Sequence, residues 1–254
     1  MSLSIVAMGL LVGFLVGLTG VGGASLLTPI LVIIGVNPSI AVGTDLMYNS
    51  ITKLFGTIQH WRQKTIDFRL TKLLALGSIP GAVVSILLLH SFDSLYHNQE
   101  KIIKHGLGYV LIIVAVTTLA KAIFDNKIKP NRWQLKSLEE KKALTITLGA
   151  ILGFIVGLTS IGSGSLFALA MLYFFRMSAS QIVGTDIAHA FLLVTAAGAL
   201  HASLGNVDYM LALNLLIGSV PGVLLGSTLS AKAPTKLLRT IIASLVFISG
   251  LKMI

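Results

Sequence analysis

Apolar residues run along this chain in long blocks, without the narrow stripe of a soluble amphipathic helix or the alternation of a half-buried strand. Residues 1–44 contain no charged side chain, and neither do residues 143–175 or 209–231. Residues 73–89 and 106–120 form shorter apolar runs flanked by Lys or His, whose stems can lie along apolar surface while their polar ends reach an interface. Crossing a bilayer takes roughly 20 mostly apolar residues in helical form. The pattern therefore predicts an all-α polytopic membrane protein, with ordinary spans near 39–60, 70–90, 104–124, 179–201, 209–230 and 236–254.

Each half of the chain opens with an apolar stretch of about 33 residues, too long for one span and short for two. Glycine clusters interrupt both stretches, Gly20-Val-Gly-Gly23 in one and Ser160-Ile-Gly-Ser-Gly164 in the other. Glycine disfavours a helix interior by about 1 kcal/mol per residue. Each stretch is thus expected to form two half-helices, as a re-entrant hairpin or a broken span. The N-terminal segment has no basic region before its apolar run, which continues past any plausible cleavage point, so it is expected to belong to the mature fold.

The two stretches are copies of one another. GFLVGLTGVGGASL (residues 13–26) matches GFIVGLTSIGSGSL (residues 153–166) at 9 of 14 positions. Further along, Val42-Gly43-Thr44-Asp45 corresponds to Val183-Gly184-Thr185-Asp186, His60 to His201, and Gly77-Ser-Ile-Pro-Gly81 to Gly218-Ser-Val-Pro-Gly222. Two repeats are expected, residues 1–120 and 142–254, joined by a polar linker at 121–141. Each comprises a broken or re-entrant half-helix pair followed by three transmembrane helices.

The formal net charge of +10 does not point to nucleic acid, because the basic residues sit in short loops between apolar spans. Their distribution orients the chain instead. Loop 61–72 carries Arg62, Lys64, Arg69 and Lys72, whereas its counterpart 202–208 has no Lys or Arg. In the next pair the bias reverses: 90–105 balances two lysines with Asp93 and Glu100, while 230–239 holds Lys232, Lys236 and Arg239 without an acid. Equivalent loops on opposite sides are the mark of inverted repeats. Loops 61–72 and 230–239 and the linker are then cytoplasmic, and both termini lie outside.

Irregular backbone at membrane depth is tolerated only inside protein or beside a cavity, so the glycine breaks are the leading candidates for a solute site. If each break starts a second half-helix, free N–H groups and a positive dipole end favour an anion there. The candidate ligands are Thr19, Gly20, Gly22, Gly23 and Ser25 in the first break and Thr159, Ser160, Gly162, Ser163 and Ser165 in the second. Close helix packing is the alternative use of small residues, and Gly13-x-x-x-Gly17 and Gly153-x-x-x-Gly157 suit it. Intramembrane Asp45 and Asp186 are expensive and therefore functional candidates for coupling, with Asn49 and Lys53 on the face of Asp45 and His189 on that of Asp186. Lys53 corresponds to Val194, so it can serve an anion from one side or pair with Asp186 for structure. For the aspartates, proton relay and acceptance of backbone N–H bonds both remain open. His60 and His201, at span ends, read as interfacial.

The Gly-rich pairs, the Val-Gly-Thr-Asp motifs, the stretch HWRQKTID (residues 60–67) and the Gly-Ser-x-Pro-Gly motifs together resemble the sulfite exporter TauE/SafE family, along nearly the whole chain. That resemblance implies a multi-pass permease of the inner (plasma) membrane. Its solute would be a small inorganic or organosulfur anion: sulfite, a sulfonate, sulfoacetate or thiosulfate. The family's glycine cluster maps onto Gly20, Gly22 and Gly23, whereas the second copy has Ser160 and Ser163 at two equivalent places. Secondary transport by alternating access between the repeats is expected, without cofactor or nucleic acid, and with a homo-oligomer as a possible assembly. The alternative is a cation or metal-ion carrier or channel using Asp45 and Asp186. An enzyme is disfavoured, since no metal-site spacing or H-E-x-x-H motif occurs and nothing fixes a serine near a histidine.

Overall fold

The computed structural model describes residues 3–19, 23–96, 99–124, 132–230 and 235–254. Among them the chain forms ten α-helices and no strand. The first five are α1 (Leu3–Thr19), α2 (Ala24–Ile33), α3 (Pro38–Arg62), α4 (Phe68–Tyr96) and α5 (Gln99–Phe124). The last five are α6 (Lys142–Thr159), α7 (Leu166–Phe174), α8 (Ala179–Ser203), α9 (Tyr209–Ser230) and α10 (Thr235–Met253). Helices α4, α5, α6, α8 and α9 are each long and apolar enough to cross a membrane.

Helix ends follow local chemistry. Asn37 caps α3 by accepting from the Ser39 N–H, with Pro38 in the first turn, where its missing N–H costs nothing. Ser178 and Gln181 form a reciprocal capping box at the start of α8. The second of the expected breaks is present, α6 ending at Ser160 in the left-handed conformation, while residues 20–22 of the first lie outside the described residues, between α1 and α2. The arms are unequal, however, since α1 and α6 have 17 and 18 residues against 10 and 9 for α2 and α7.

The long arms owe their length to their partners. Helix α6 lies against α4 with Gly149, Gly153 and Gly157 backed onto Leu74, Ser78 and Ala82 in turn, so the two helices run parallel. Helix α1 lies parallel to α9 in the same way, Gly9 on Leu215 and Gly13 on Ser219. A β-carbon on Gly153 would meet the Ser78 carbonyl oxygen at 2.1 Å, which is why these stripes need glycine. Helices α3 and α8 are antiparallel, Gly43 meeting His201 and Gly56 meeting Ile187. Helices α5 and α10 also run antiparallel, with Gly108 near Ile254 and Gly250 near Ile112.

These directions decide the shape of the breaks. Five joints separate α3 from α8, and antiparallel packing requires an odd number of reversals. With each of the other four joints reversing the chain, as between successive spans, the α6–α7 break is the fifth reversal and folds back. Eight joints separate α1 from α9, whose parallel packing then requires the α1–α2 break to fold back too. A direct contact agrees, because the Lys141 ammonium at the base of α6 donates to the Phe174 carbonyl at the end of α7 at 3.1 Å. The α6–α7 break is thus a hairpin tip, and the direction of α1 against α9 gives the α1–α2 pair the same reversal.

The polar loops lock the two sets of five helices together. Thr44 accepts from the Asp208 N–H at 3.0 Å, and Thr185 accepts from the Asp67 N–H at 2.9 Å. Gly43 and Gly184 allow this approach, since a β-carbon on either would clash with the Asn206 or Thr65 backbone. Asp67 and Asp208 each cap the helix that follows, accepting from Leu70 and Leu211.

Candidate functional site

Both hairpin tips meet near the middle of α3. The second tip is held in place by its own backbone: the Gly162 carbonyl accepts the N–H groups of Ser165, Leu166 and Phe167, and Gly162 has φ +106. Such a φ is open to glycine and strained for other residues. The N–H groups of Ser163 and Gly164 make no hydrogen bond among the described residues. Helix α7 starts at Ser165 without a side-chain cap, and α2 starts at Gly23 without one.

Between the tips lies a small polar cavity. Gly23, Ala24 and Ser25 line it from the first tip, Gly162, Ser163, Gly164 and Ser165 from the second, and Asn49 and Lys53 from α3. The Lys53 ammonium donates to the Ser163 carbonyl oxygen at 3.5 Å. The cavity encloses about 10 Å³, room for one water and far less than a sulfur oxyanion needs. A solute of that size would fit here only with the tips apart.

Asp45 sits beneath this cavity, fully buried, and its oxygens are all engaged. Oδ2 accepts from Thr28 at 2.7 Å and from Ser160 at 2.6 Å, and Oδ1 accepts from the Asn49 amide at 2.9 Å. Its donors are side chains from three elements, not the backbone N–H groups considered from sequence. Asp186 is also buried, yet its Oδ1 has no partner among the described residues. Lys53 is within electrostatic reach of both carboxylates. Neither is within 4 Å of it; among the described residues the ion pair that close is Arg69–Glu139, at the surface.

The remaining sequence candidates divide. Thr159 spends its hydroxyl on the backbone, donating to Ile155 and accepting from Ile161 N–H, so it does not face the cavity. His189 bonds Ser78 through Nε2 at 2.8 Å and packs against Phe167 with the rings tilted and their centroids 4.2 Å apart. His201 is 1% exposed and its Nε2 donates to the Gly157 carbonyl at 3.3 Å, an interior position where an interfacial one was expected. Gly20 and Gly22, and the side chain of Thr19, lie outside the described residues. Sequence reasoning missed Thr28, a single small polar residue in an apolar run, and the role of Ser78, whose Gly-Ser-x-Pro-Gly motif gives no local signal of a partner.

Apolar helices long enough to cross a bilayer, folded back at two glycine-rich tips around a part-buried lysine, define a multi-pass membrane protein of the transporter class. The chain belongs to the sulfite exporter TauE/SafE family, whose model matches residues 5–253. It is 66% identical over 254 residues to the probable membrane transporter protein YjnA of Bacillus subtilis (strain 168), covering all of both chains. A second relative in that organism, probable membrane transporter protein YunE, is 26% identical over 98% of this chain and 96% of its own. The probable membrane transporter protein MJ0441 of Methanocaldococcus jannaschii is 28% identical over 98% of this chain and 94% of its own. No solved structure matches. The protein is thus a membrane-embedded transporter of a small solute.

Proposed function

We propose that the solute is a small anion, of the sulfur oxyanion or sulfonate class, bound between the two hairpin tips. One observation carries the reading: a part-buried ammonium, backbone N–H groups at Ser163 and Gly164 without a partner among the described residues, and two uncapped helix starts converge on one polar cavity. Each of these favours negative charge. The family's name and the resemblance of the motifs support sulfur chemistry in the anion. Asp45 argues against the cation alternative, because its oxygens already accept three side-chain hydrogen bonds.

The helix directions support two inverted repeats, residues 1–120 and 142–254, with the linker between them. A two-fold axis along the helices would set equivalent helices parallel, whereas α3 with α8 and α5 with α10 run antiparallel. Rocking of one repeat against the other would open the closed cavity to each side in turn.

A thermal-shift screen of purified protein across sulfite, thiosulfate, sulfonates, carboxylates and divalent cations tests the class of solute. Stabilisation by the sulfur anions is expected, weakened about tenfold in affinity by Ser165→Ala, on the basis of about 1.5–3 kcal/mol for a hydrogen bond to a charged group. Stabilisation by cations alone would reverse the proposal.

A further inference from the structure

The Val-Gly-Thr-Asp motif occurs twice, and its Gly and Thr do the same thing in both copies, receiving a loop from the other half. Its two aspartates differ. Asp45 accepts from Thr28, Asn49 and Ser160. At the corresponding positions of the other copy stand Ala168, Ala190 and Gly20, none of which has a side-chain donor. Asp186 accordingly keeps a buried oxygen without a partner among the described residues, although only 4% of the residue is exposed.

A buried carboxylate oxygen without a donor is costly, and the cost falls when the group takes up a proton or faces a cation. Asp186 has a cation within reach, Lys53 of α3, whose own counterpart is Val194. Lys53 is not committed to it. The two are more than 4 Å apart, and the ammonium reaches toward Ser163 at the edge of the cavity. On α8 itself, His189 lies one turn further along and also has an unpartnered buried nitrogen, Nδ1. The groups that α4 and α7 bring to that histidine, Ser78 and Phe167, do not titrate in this range, and Asp45 acts on Lys53.

Resting on the anion reading above, we infer that Asp186 is a proton-binding site that couples proton movement to anion movement, while Asp45 is a fixed structural carboxylate. A proton from water attaches to Oδ1 of Asp186 and removes one negative charge from beside Lys53. The ammonium charge then acts on an anion in the cavity. When the proton leaves to water on the other face, the restored carboxylate competes for Lys53 and the anion is released. Proton and anion travel in the same direction.

The test uses thiosulfate and isethionate, whose own charge is constant from mildly acid to mildly alkaline pH. In purified wild-type protein their Kd is expected to rise about tenfold per pH unit above the titration of the site, the slope for one linked proton. In liposomes holding the wild type, an inward gradient of either anion should carry protons inward. Asp186→Asn, a neutral copy of the protonated acid, should bind both anions with little pH dependence and exchange them without proton flux. Anion transport without proton flux in the wild type would overturn the inference whether or not the variant folds, as would a proton flux that Asp186→Asn retains. Wild-type affinity that ignores pH would overturn it and leave the anion reading standing. Binding of neither anion at any pH would remove the anion reading and the inference with it.

Discussion

Ser160 donates its hydroxyl to Asp45 across 115 positions of sequence, at 2.6 Å, from a backbone conformation that serine rarely adopts. At φ 61 it occupies a left-handed position, which costs a non-glycine residue about 1–2 kcal/mol. The first copy has Gly20 there. A hydrogen bond to a charged group contributes about 1.5–3 kcal/mol, enough to hold serine in place.

This balance predicts an order of stability. Ser160→Gly loses the hydrogen bond and relieves the backbone, whereas Ser160→Ala loses the bond and keeps the strain. Thermal melts of purified protein should therefore rank wild type above Ser160→Gly, and Ser160→Gly above Ser160→Ala. An alanine variant as stable as the wild type would mean that the bond contributes nothing.

The helix stripes make a second prediction. A β-carbon on Gly153 would lie 2.1 Å from the Ser78 carbonyl oxygen, and one on Gly13 would lie 2.4 Å from that of Ser219. Backbone cannot step aside as a side-chain end can, so Gly153→Ala and Gly13→Ala should each destabilise by about 1–3 kcal/mol. Gly106→Ala is the control, since its β-carbon would meet nothing closer than the Thr159 methyl at 3.9 Å. Denaturation midpoints in one detergent would separate the three.

Spans and breaks were legible because hydrophobic run length and glycine clusters are local signals. The bonding of Asp45 was not, because Thr28 and Ser160 reach it from distant parts of the chain; Ser160 stands out as part of the second break, but nothing local directs it to Asp45. His201 read as interfacial from its place near a span end, yet the Gly157 carbonyl in the last turn of α6 gives it an interior acceptor. The unequal arms were hidden for a similar reason. Apolar length alone does not show that α6 must follow α4 over the three contacts from Gly149 to Gly157 before it can turn.

The inverted arrangement proposed above predicts sidedness. Ile66 lies in the loop between α3 and α4 and Asn206 in the loop between α8 and α9, which are equivalent in the two copies. The chain has no cysteine, so a single one placed at either position can be labelled without background. Cysteine at 66 should react with an impermeant reagent only from the cytoplasmic side, and cysteine at 206 only from outside. Labelling of both from one side would rule out inversion.

Lys53 makes the final prediction. Its ammonium is the one charge lining the cavity among the described residues, and it has two uses open to it: attracting an anion or neutralising the carboxylates around it. The distances favour the first, since it bonds the Ser163 carbonyl at the cavity edge and neither carboxylate is within 4 Å. Removing a charge-assisted hydrogen bond costs about 1.5–3 kcal/mol, so Lys53→Met should weaken anion affinity by tenfold or more. Lys53→Arg keeps the charge on a bulkier head and should lose less, provided the tip at Ser163 gives way. Stability separates the two uses, because a neutralising lysine would lower the melting temperature when lost and leave affinity in the surviving folded protein unchanged. Affinity measured on folded Lys53→Met is therefore the deciding number, and a value equal to the wild type would assign Lys53 to structure.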